Sequence, residues 1–140
     1  MGLDMSLVCP DGYEMTWSKR AHLVHLWFSD RIIREGKSLY EPYEGEPCDF
    51  EGRELIPLME LCRRVMEEPE TAPDLMPTTY VYDTQTQRAD SRTPAEQRRE
   101  PGRYVYPKEY FDEIRRTLEF LEWATGAYAP DAIFSYWASW

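Results

Sequence analysis

The first 36 residues predict a strand, a turn and a helix. Apolar and polar residues alternate over residues 3–7, which is typical of a half-buried β-strand. Pro10-Asp11-Gly12 predicts a turn, because proline presets φ and glycine accepts a positive φ. From about Thr16 the apolar period becomes helical, which predicts a largely buried first helix that ends near Gly36. Its apolar stripe comprises Trp17, Ala21, Val24, Phe28 and Ile32.

The same spacing predicts two further helices. Pro57 requires the second helix to start near residues 53–55, since proline is tolerated in the first turn, and Glu67-Glu68-Pro69 ends it. Its apolar face comprises Leu55, Leu58, Met59, Cys62, Val65 and Met66. The third helix opens at Pro107, a favoured first position, and Gly126 is expected to cap it. Its inner face comprises Phe111, Ile114, Leu118, Leu121 and Thr125.

Three short segments are rich in strand-forming residues. Residues 78–82 and 104–106 predict the two strands of a central hairpin, and residues 132–140 predict a final strand. Phe134, Tyr136, Ala138 and Trp140 would share one face of that strand. Residues 84–103 contain no large apolar side chain, so we expect a flexible hairpin insertion without regular structure.

Together these elements predict an α+β fold in a single domain, residues 1–140. The expected architecture is one small antiparallel sheet covered by three helices. The sheet would combine the N-terminal strand, the central hairpin and the C-terminal strand. The length is typical of one domain with its own hydrophobic core.

The net charge and composition of the chain exclude several classes of protein. The chain carries 26 acidic against 16 basic residues, a formal net charge of −10, which argues against direct binding of nucleic acid over a broad face. Twenty aromatic residues argue against a disordered acidic chain. No apolar run reaches the roughly 20 residues that span a bilayer, so we expect no membrane association. The three cysteines form neither a disulfide framework nor a CxxC motif, which is typical of a cytosolic protein.

Several segments resemble a family of small proteins encoded by bacteriophages and prophages. Residues 1–7, MGLDMSL, look like the family's MGLDMYL start, and residues 19–28, KRAHLVHLWF, resemble its RKANAIHKWF stretch. The likeness extends to Leu55, Leu58 and Cys62, to the LMPT at residues 75–78, and to the aromatic ending YWASW at residues 136–140. It covers most of the chain apart from residues 84–103.

The sequence departs from the family pattern at three points. Ser6 replaces the usual tyrosine, His22 replaces an asparagine, and the Gly-Phe-Phe-Phe-Gly run expected after residues 75–78 is missing. The resemblance implies an origin in a phage and action in the cytoplasm of the bacterial host. It implies no chemistry, so the residues must suggest a function.

The acidic loop after the first helix is the leading candidate site. Its carboxylates alternate with aromatic rings, as a protein needs in order to dock on a basic surface that normally binds nucleic acid. The expected contacts are Tyr43, Glu44, Glu46, Asp49, Phe50 and Glu51. We therefore expect a phage accessory protein that binds a host protein, and whose target is a defence or nucleic-acid-processing component. A solubilising loop whose rings fold onto the domain would give the same pattern.

A small-ligand site is the alternative from a different class. Trp27 would stack on a nucleotide signal while Arg20, His22 or His25 meets its phosphate, and the module would bind or hydrolyse it. Two histidines three residues apart supply too few ligands for zinc, so we expect neither a metal nor a cofactor. No nucleotide-binding or esterase motif is present, and we favour binding over catalysis.

Two other segments leave alternatives open. If the aromatic tail from Phe134 to Trp140 were unpaired, it would form an exposed strand edge that pairs with another copy of the chain. The alternative function is therefore a self-assembling structural protein, a homo-oligomer. Residues 84–103 carry five arginines against three acidic residues. They could capture an acidic partner or a phosphate, although a disordered linker has the same composition.

Overall fold

The computed structural model describes residues 4–17, 21–35 and 47–139. These residues form seven strands and five α-helices, and 3₁₀ turns precede α2 and α3 at Gly52–Leu55 and Pro69–Thr71. The strands are β1 Asp4–Val8, β2 Glu14–Trp17, β3 Cys48–Glu51, β4 Tyr80–Asp83, β5 Arg88–Ser91, β6 Tyr104–Val105 and β7 Ile133–Ser139. The helices are α1 His22–Arg34, α2 Ile56–Glu67, α3 Ala72–Leu75, α4 Pro94–Arg99 and α5 Lys108–Ala127. The prediction of an α+β fold is confirmed.

The N-terminal and C-terminal strands pair at the centre of a four-stranded antiparallel sheet. Its order is β2-β1-β7-β3, with Leu7 opposite Tyr136. As predicted, Phe134, Tyr136 and Ala138 share one face of β7, and all three are fully buried. Because β7 is paired on both sides, the described part of the aromatic tail does not form an exposed edge: Phe134 and Tyr136 enter the core, whereas Trp137 lies half-buried on the other side of the sheet. Trp140, the last residue of the predicted tail, lies outside the described residues.

The core lies between the inner face of this sheet and the three long helices. Phe28 of α1 stacks on Tyr136 with ring centroids 4.0 Å apart and meets Phe50 of β3 edge-on at 5.2 Å. The predicted apolar stripes supply the helical side of the core. Its fully buried members include Ile32 of α1, Leu58, Cys62 and Val65 of α2, and Ile114 and Leu121 of α5.

The predicted start of the first helix is wrong. Trp17 ends strand β2 opposite Met5, and α1 begins only at His22. The Trp17 side chain is buried, and its indole Nε1 donates to Thr117 Oγ1 of α5 at 2.9 Å. Trp17 and Ala21 both reach the core, so their four-residue spacing imitates a helical period although a strand end precedes the helix.

The other two long helices lie close to their predicted positions. A 3₁₀ turn precedes α2, and Pro57 occupies the first turn as expected. The predicted cap at Gly126 is wrong, because α5 continues to Ala127 and the Tyr128 amide still donates to the carbonyl of Ala124 at 3.1 Å. The Tyr128 ring then packs edge-on against Phe134, with centroids 5.5 Å apart, which fixes where the chain leaves the helix.

The central hairpin forms a second antiparallel sheet of its own. Its order is β5-β4-β6, so strands occupy both edges of β4 and the predicted single sheet is wrong. The expectation that residues 84–103 lack regular structure is also wrong, since they contain β5 and α4 and end where β6 begins.

Polar contacts order this hairpin in place of an apolar core. Thr93 caps α4 in a reciprocal capping box with Glu96. The buried Gln97 amide donates to the carbonyls of Thr78 and Arg92, both at 2.9 Å. Bonds between polar groups leave no hydrophobic pattern in the sequence, so the composition of residues 84–103 is that of a flexible loop although the segment is ordered.

Candidate functional site

Strand β3 separates the described residues of the predicted acidic-aromatic site. Asp49 is exposed and Glu51 half-buried on the outer side of the sheet, whereas Phe50 is only 1% exposed and packs on Phe28. Alternation along a strand places neighbouring side chains on opposite faces, so Phe50 cannot contribute to the same surface. Phe50 as a partner contact is therefore wrong. The predicted contacts Tyr43, Glu44 and Glu46 lie outside the described residues.

The sheet register brings further carboxylates to the side of Asp49. Glu14, Val8, Ser135 and Asp49 lie opposite one another across all four strands. Asp4 belongs to the same side of β1 as Val8, and the half-buried Trp137 lies two residues beyond Ser135 on β7. We call this surface the acidic face. It consists of Asp4, Glu14, Asp49 and Glu51 around Trp137.

The carboxylates of the acidic face are held by short local contacts. The Ser135 hydroxyl donates to Asp49 at 2.7 Å, and the Ser6 hydroxyl donates to Glu14. Glu51 forms an ion pair with Arg53 at 2.9 Å. These contacts orient the acidic side chains, and Asp4, Glu14 and Asp49 remain exposed to solvent.

In two of the segments that build this side of the molecule, every charged residue apart from histidine is acidic. Residues 4–17 and 117–139 contain six acidic residues and no lysine or arginine. They are Asp4, Asp11, Glu14, Glu119, Glu122 and Asp131. Arg53 pairs with Glu51, and Arg116 lies near Asp4, Glu14 and Trp137 at one end of the face. The acidic residues outnumber these two arginines, and the resulting negative potential steers a positively charged partner towards this side of the molecule.

An exposed pair of rings lies at the end of the β1–β2 hairpin. Tyr13 is 57% exposed and Trp123 is 49% exposed, with ring centroids 5.6 Å apart and planes at 67°. We call these two residues the aromatic pair. The sequence places Trp123 beside the inner face of the third helix and Tyr13 next to a turn. No sequence pattern joins two residues so far apart, so sequence reasoning missed the pair.

The predicted small-ligand residues separate into a cavity and the core. A cavity of about 450 Å³ lies where the start of α1, residues 78–80 and the start of α5 meet, and His22, Tyr80 and Glu109 are among its lining residues. Its volume lies within the usual range of small-molecule sites. The His22 ring faces the His25 ring, with centroids 6.0 Å apart.

His25 and Trp27 do not join His22 at this cavity. His25 is 2% exposed, and its Nδ1 lies 2.7 Å from the hydroxyl of Tyr136 in the core. Burial raises the pKa of the Tyr136 hydroxyl, so this group stays protonated. The Arg31 guanidinium lies 5.0 Å from the centre of the half-buried Trp27 ring. Arg20 lies outside the described residues.

The described residues form no three-ligand metal site, and two of the three thiols are buried. It brings no three histidine, cysteine or acidic side chains together in a way that could hold a metal ion. Cys9 and Cys62 are buried, and burial raises the pKa of both thiols, that of Cys62 to about 12. The described helices include none that is long and apolar enough to cross a membrane.

Most arginines of the 84–103 hairpin form ion pairs inside the molecule. Arg92 pairs with Asp90 at 2.8 Å, Arg98 with Asp74 at 2.6 Å, and Arg103 with Asp83 at 3.0 Å. These pairs hold the hairpin together, which weakens the hypothesis that its arginines capture an acidic partner or a phosphate.

Comparison of the chain with protein-family models, curated proteins and solved structures finds no match in any of the three. The acidic face, the aromatic pair and the cavity beside His22 are therefore the features from which we infer a function.

Proposed function

We propose that this protein acts by binding another protein through its acidic face, and that the partner's contact surface is basic. The observation that carries the proposal is the register of the four-stranded sheet. It assembles carboxylates from three strands around Trp137, on the side away from the core. They are Asp4 of β1, Glu14 of β2, and both Asp49 and Glu51 of β3.

The chemistry of this face suits a partner that normally binds nucleic acid. Spaced carboxylates can replace phosphates electrostatically, which raises the rate of association and selects against acidic competitors. Tryptophan is among the residues most enriched at the energetic centres of interfaces, so Trp137 supplies apolar contact area amid the charges.

The resemblance to phage proteins supplies the biological setting of the proposal. In that setting the partner is a host protein in the bacterial cytoplasm, and the consequence of binding is inhibition of a defence or nucleic-acid-processing component. A protein that covers a nucleic-acid-binding surface inhibits its target without any catalysis of its own.

Charge reversal on the acidic face tests the proposal. The immobilised protein would capture bacterial lysate proteins, and each captured protein would then be purified and titrated at low and high salt. We expect Asp4→Lys with Asp49→Lys to weaken binding at least about tenfold, since like charges then face each other. The loss should be largest at low salt.

The matched control places the same charge change on helix α2. Glu60→Lys with Glu67→Lys alters two exposed residues of α2 and the net charge equally. If both double variants weaken binding alike, net charge rather than the acidic face is responsible and the proposal fails. Failure to recover any partner that binds after purification also rejects it.

The cavity beside His22 supports a second candidate function, the binding of a small ligand such as a nucleotide signal. A thermal-shift screen with nucleotides would test it, with His22→Ala as the variant. Leu26→Ala is the matched control, because Leu26 lies on the same helix and is 50% exposed. A flat response across the nucleotides, or equal loss in both variants, rejects this candidate.

A further inference from the structure

We infer that the aromatic pair, Tyr13 and Trp123, is a binding site for an arginine side chain of the partner protein. The inference rests on the proposed function, because it names the group that a basic partner would insert here. It also adds a site that lies in the β1–β2 loop and on helix α5 rather than on the outer surface of the sheet.

The aromatic pair is rigidly supported from below. Phe120 lies under both rings, with centroid distances of 6.4 Å to Tyr13 and 6.0 Å to Trp123. Tyr128 meets Trp123 edge-on at 5.7 Å and connects it to the core ring of Phe134. A platform that is ordered before binding loses little conformational entropy when a ligand arrives.

The β1–β2 loop fixes the position of Tyr13. The Cys9 amide donates to the carbonyl of Tyr13 at 2.7 Å, and the Tyr13 amide donates to the Asp11 carboxylate at 3.2 Å. Gly12 adopts φ = 94°, which L side chains rarely accept, so the tight loop depends on glycine. The Tyr13 ring is therefore held beside Trp123 although more than half of it is exposed.

The electrostatic surroundings of the pair favour a cation. The Tyr128 hydroxyl donates to Asp11 at 2.8 Å and lowers the pKa of that carboxyl, so Asp11 stays ionised at neutral pH. The same Asp11 carboxylate accepts the Tyr13 amide at 3.2 Å, which keeps the negative charge close to the aromatic pair. Glu122, next to Trp123 in the sequence, forms an ion pair with Arg63 of α2 at 3.4 Å. A cation over an aromatic face is attracted by the ring quadrupole, and nearby carboxylates strengthen that attraction.

Arginine side chains cover two other aromatic rings of this protein. Arg31 lies over Trp27 at 5.0 Å, and Arg103 and Arg92 lie near Tyr104 at 5.1 and 5.8 Å. Within the described residues no cation lies over the ring of Tyr13 or Trp123, and residues 4–17 and 117–139 contain no lysine or arginine. Two other rings of the described residues, those of Trp27 and Tyr104, are covered by arginines of the chain itself, and an arginine of the partner would occupy the aromatic pair in the same way.

Arginine is a better occupant than lysine for a physical reason. The guanidinium is planar and weakly hydrated, and it can stack on one ring while it donates to a carboxylate. The ammonium of lysine holds its water more strongly and gains less from an open aromatic site. The inference therefore predicts an order of affinity: arginine, then lysine, with no binding by a neutral analogue.

Titration of the full chain with capped tetrapeptides, followed by ¹⁵N NMR, tests this order. The probes are tetra-arginine, tetra-lysine and tetra-citrulline, because citrulline has nearly the shape of arginine without its charge. The indole signal of Trp123 is assigned from the spectrum of Trp123→Phe. We expect this signal to shift with tetra-arginine, to shift less with tetra-lysine, and to stay in place with tetra-citrulline.

Variants then locate the site. Tyr13→Leu and Trp123→Leu should each weaken tetra-arginine binding about two- to fivefold, the size of an exposed cation–π contact. Tyr80→Leu is the matched control, because Tyr80 is 56% exposed but lies on the second sheet. Trp123→Phe keeps an aromatic ring and should bind between wild type and Trp123→Leu, which covers the case in which the leucine variant fails to fold.

Several results would overturn the inference. They are a shift with tetra-citrulline equal to that with tetra-arginine, an unmoved Trp123 signal, and an equal loss in Tyr80→Leu. If the Trp123 signal shifts with protein concentration alone and light scattering shows a dimer, the occupant of the aromatic pair is a second copy of this chain and not an arginine of a partner. If charge reversal leaves partner binding unchanged but tetra-arginine binds at Trp123, only the proposed role of the acidic face is rejected. If charge reversal weakens partner binding but tetra-arginine does not bind at Trp123, only the arginine site is rejected.

Discussion

Asp83 and Arg103 join the two ends of the 84–103 hairpin through a two-nitrogen contact. Arg103 Nε donates to Asp83 Oδ1 at 3.2 Å, and Nη2 donates to Oδ2 at 3.0 Å. The amide of Gln85 adds a third bond to Oδ1 at 2.9 Å. The hairpin is ordered mainly by polar contacts, and this one joins its two ends.

The stability of the hairpin should fall in acid. Arg103 lowers the pKa of Asp83 from 3.8 to about 2, so the folded state binds this proton less readily than the unfolded state. The stabilisation is complete above about pH 4 and is lost as the pH falls through about 2. Hydrogen exchange of residues 84–103 would detect the loss, and Asp83→Asn should remove this part of the pH dependence. The exposed Asp131→Asn is the control, and an identical pH profile in both variants contradicts the prediction.

Adjacent residues of β3 should differ sharply in their contribution to stability. Phe50→Ala removes a buried ring and should lower the free energy of unfolding by about 3–5 kcal/mol. Asp49→Ala changes an exposed side chain and should alter it by no more than about 0.5 kcal/mol. Urea denaturation of both variants measures the difference. Similar losses would mean that the strand alternation is not as described.

The hydroxyl of Tyr136 should stabilise the core through His25. Tyr136→Phe keeps the stack on Phe28 but removes the 2.7 Å bond to His25 Nδ1. Loss of a buried hydrogen bond that leaves one partner behind should lower the free energy of unfolding by about 1–3 kcal/mol. Chemical denaturation would measure it, with the exposed Tyr82→Phe as the control. An unchanged midpoint in Tyr136→Phe would show that the bond contributes nothing.

The three thiols should react at very different rates with Ellman's reagent in the native protein. Burial raises the pKa of Cys9 and Cys62, and the thiolate is the reactive form, so both should react only on unfolding. Cys48 is half-buried and should react first. Cys48→Ala should abolish the fast phase, whereas Cys62→Ala should leave it intact. Equal rates for all three native thiols would contradict the burial described here.

Local sequence patterns predicted most of the helices and strands but not which of them pack or pair with one another. The apolar spacing of α2 and the alternation of β7 are properties of neighbouring residues, so both were predicted within a few positions. Strand β2 was mistaken for the start of a helix, because Trp17 lies four residues before Ala21 and both are buried. The order of residues 84–103 was missed because its bonds, such as Gln97 to Thr78, join polar groups far apart in the sequence.

The sequence by itself determined the acidic charge, the α+β class and the inward face of each long helix and of the last strand. Only the tertiary structure decided which residues share a surface. Strand register buried Phe50 and joined Asp49 to Glu14 across four strands, while helix packing brought Trp123 beside Tyr13. The physical reason is the distance along the sequence over which each kind of information acts. Periodicity reports the environment of each residue along the chain, whereas a binding surface depends on contacts between segments that no local pattern encodes.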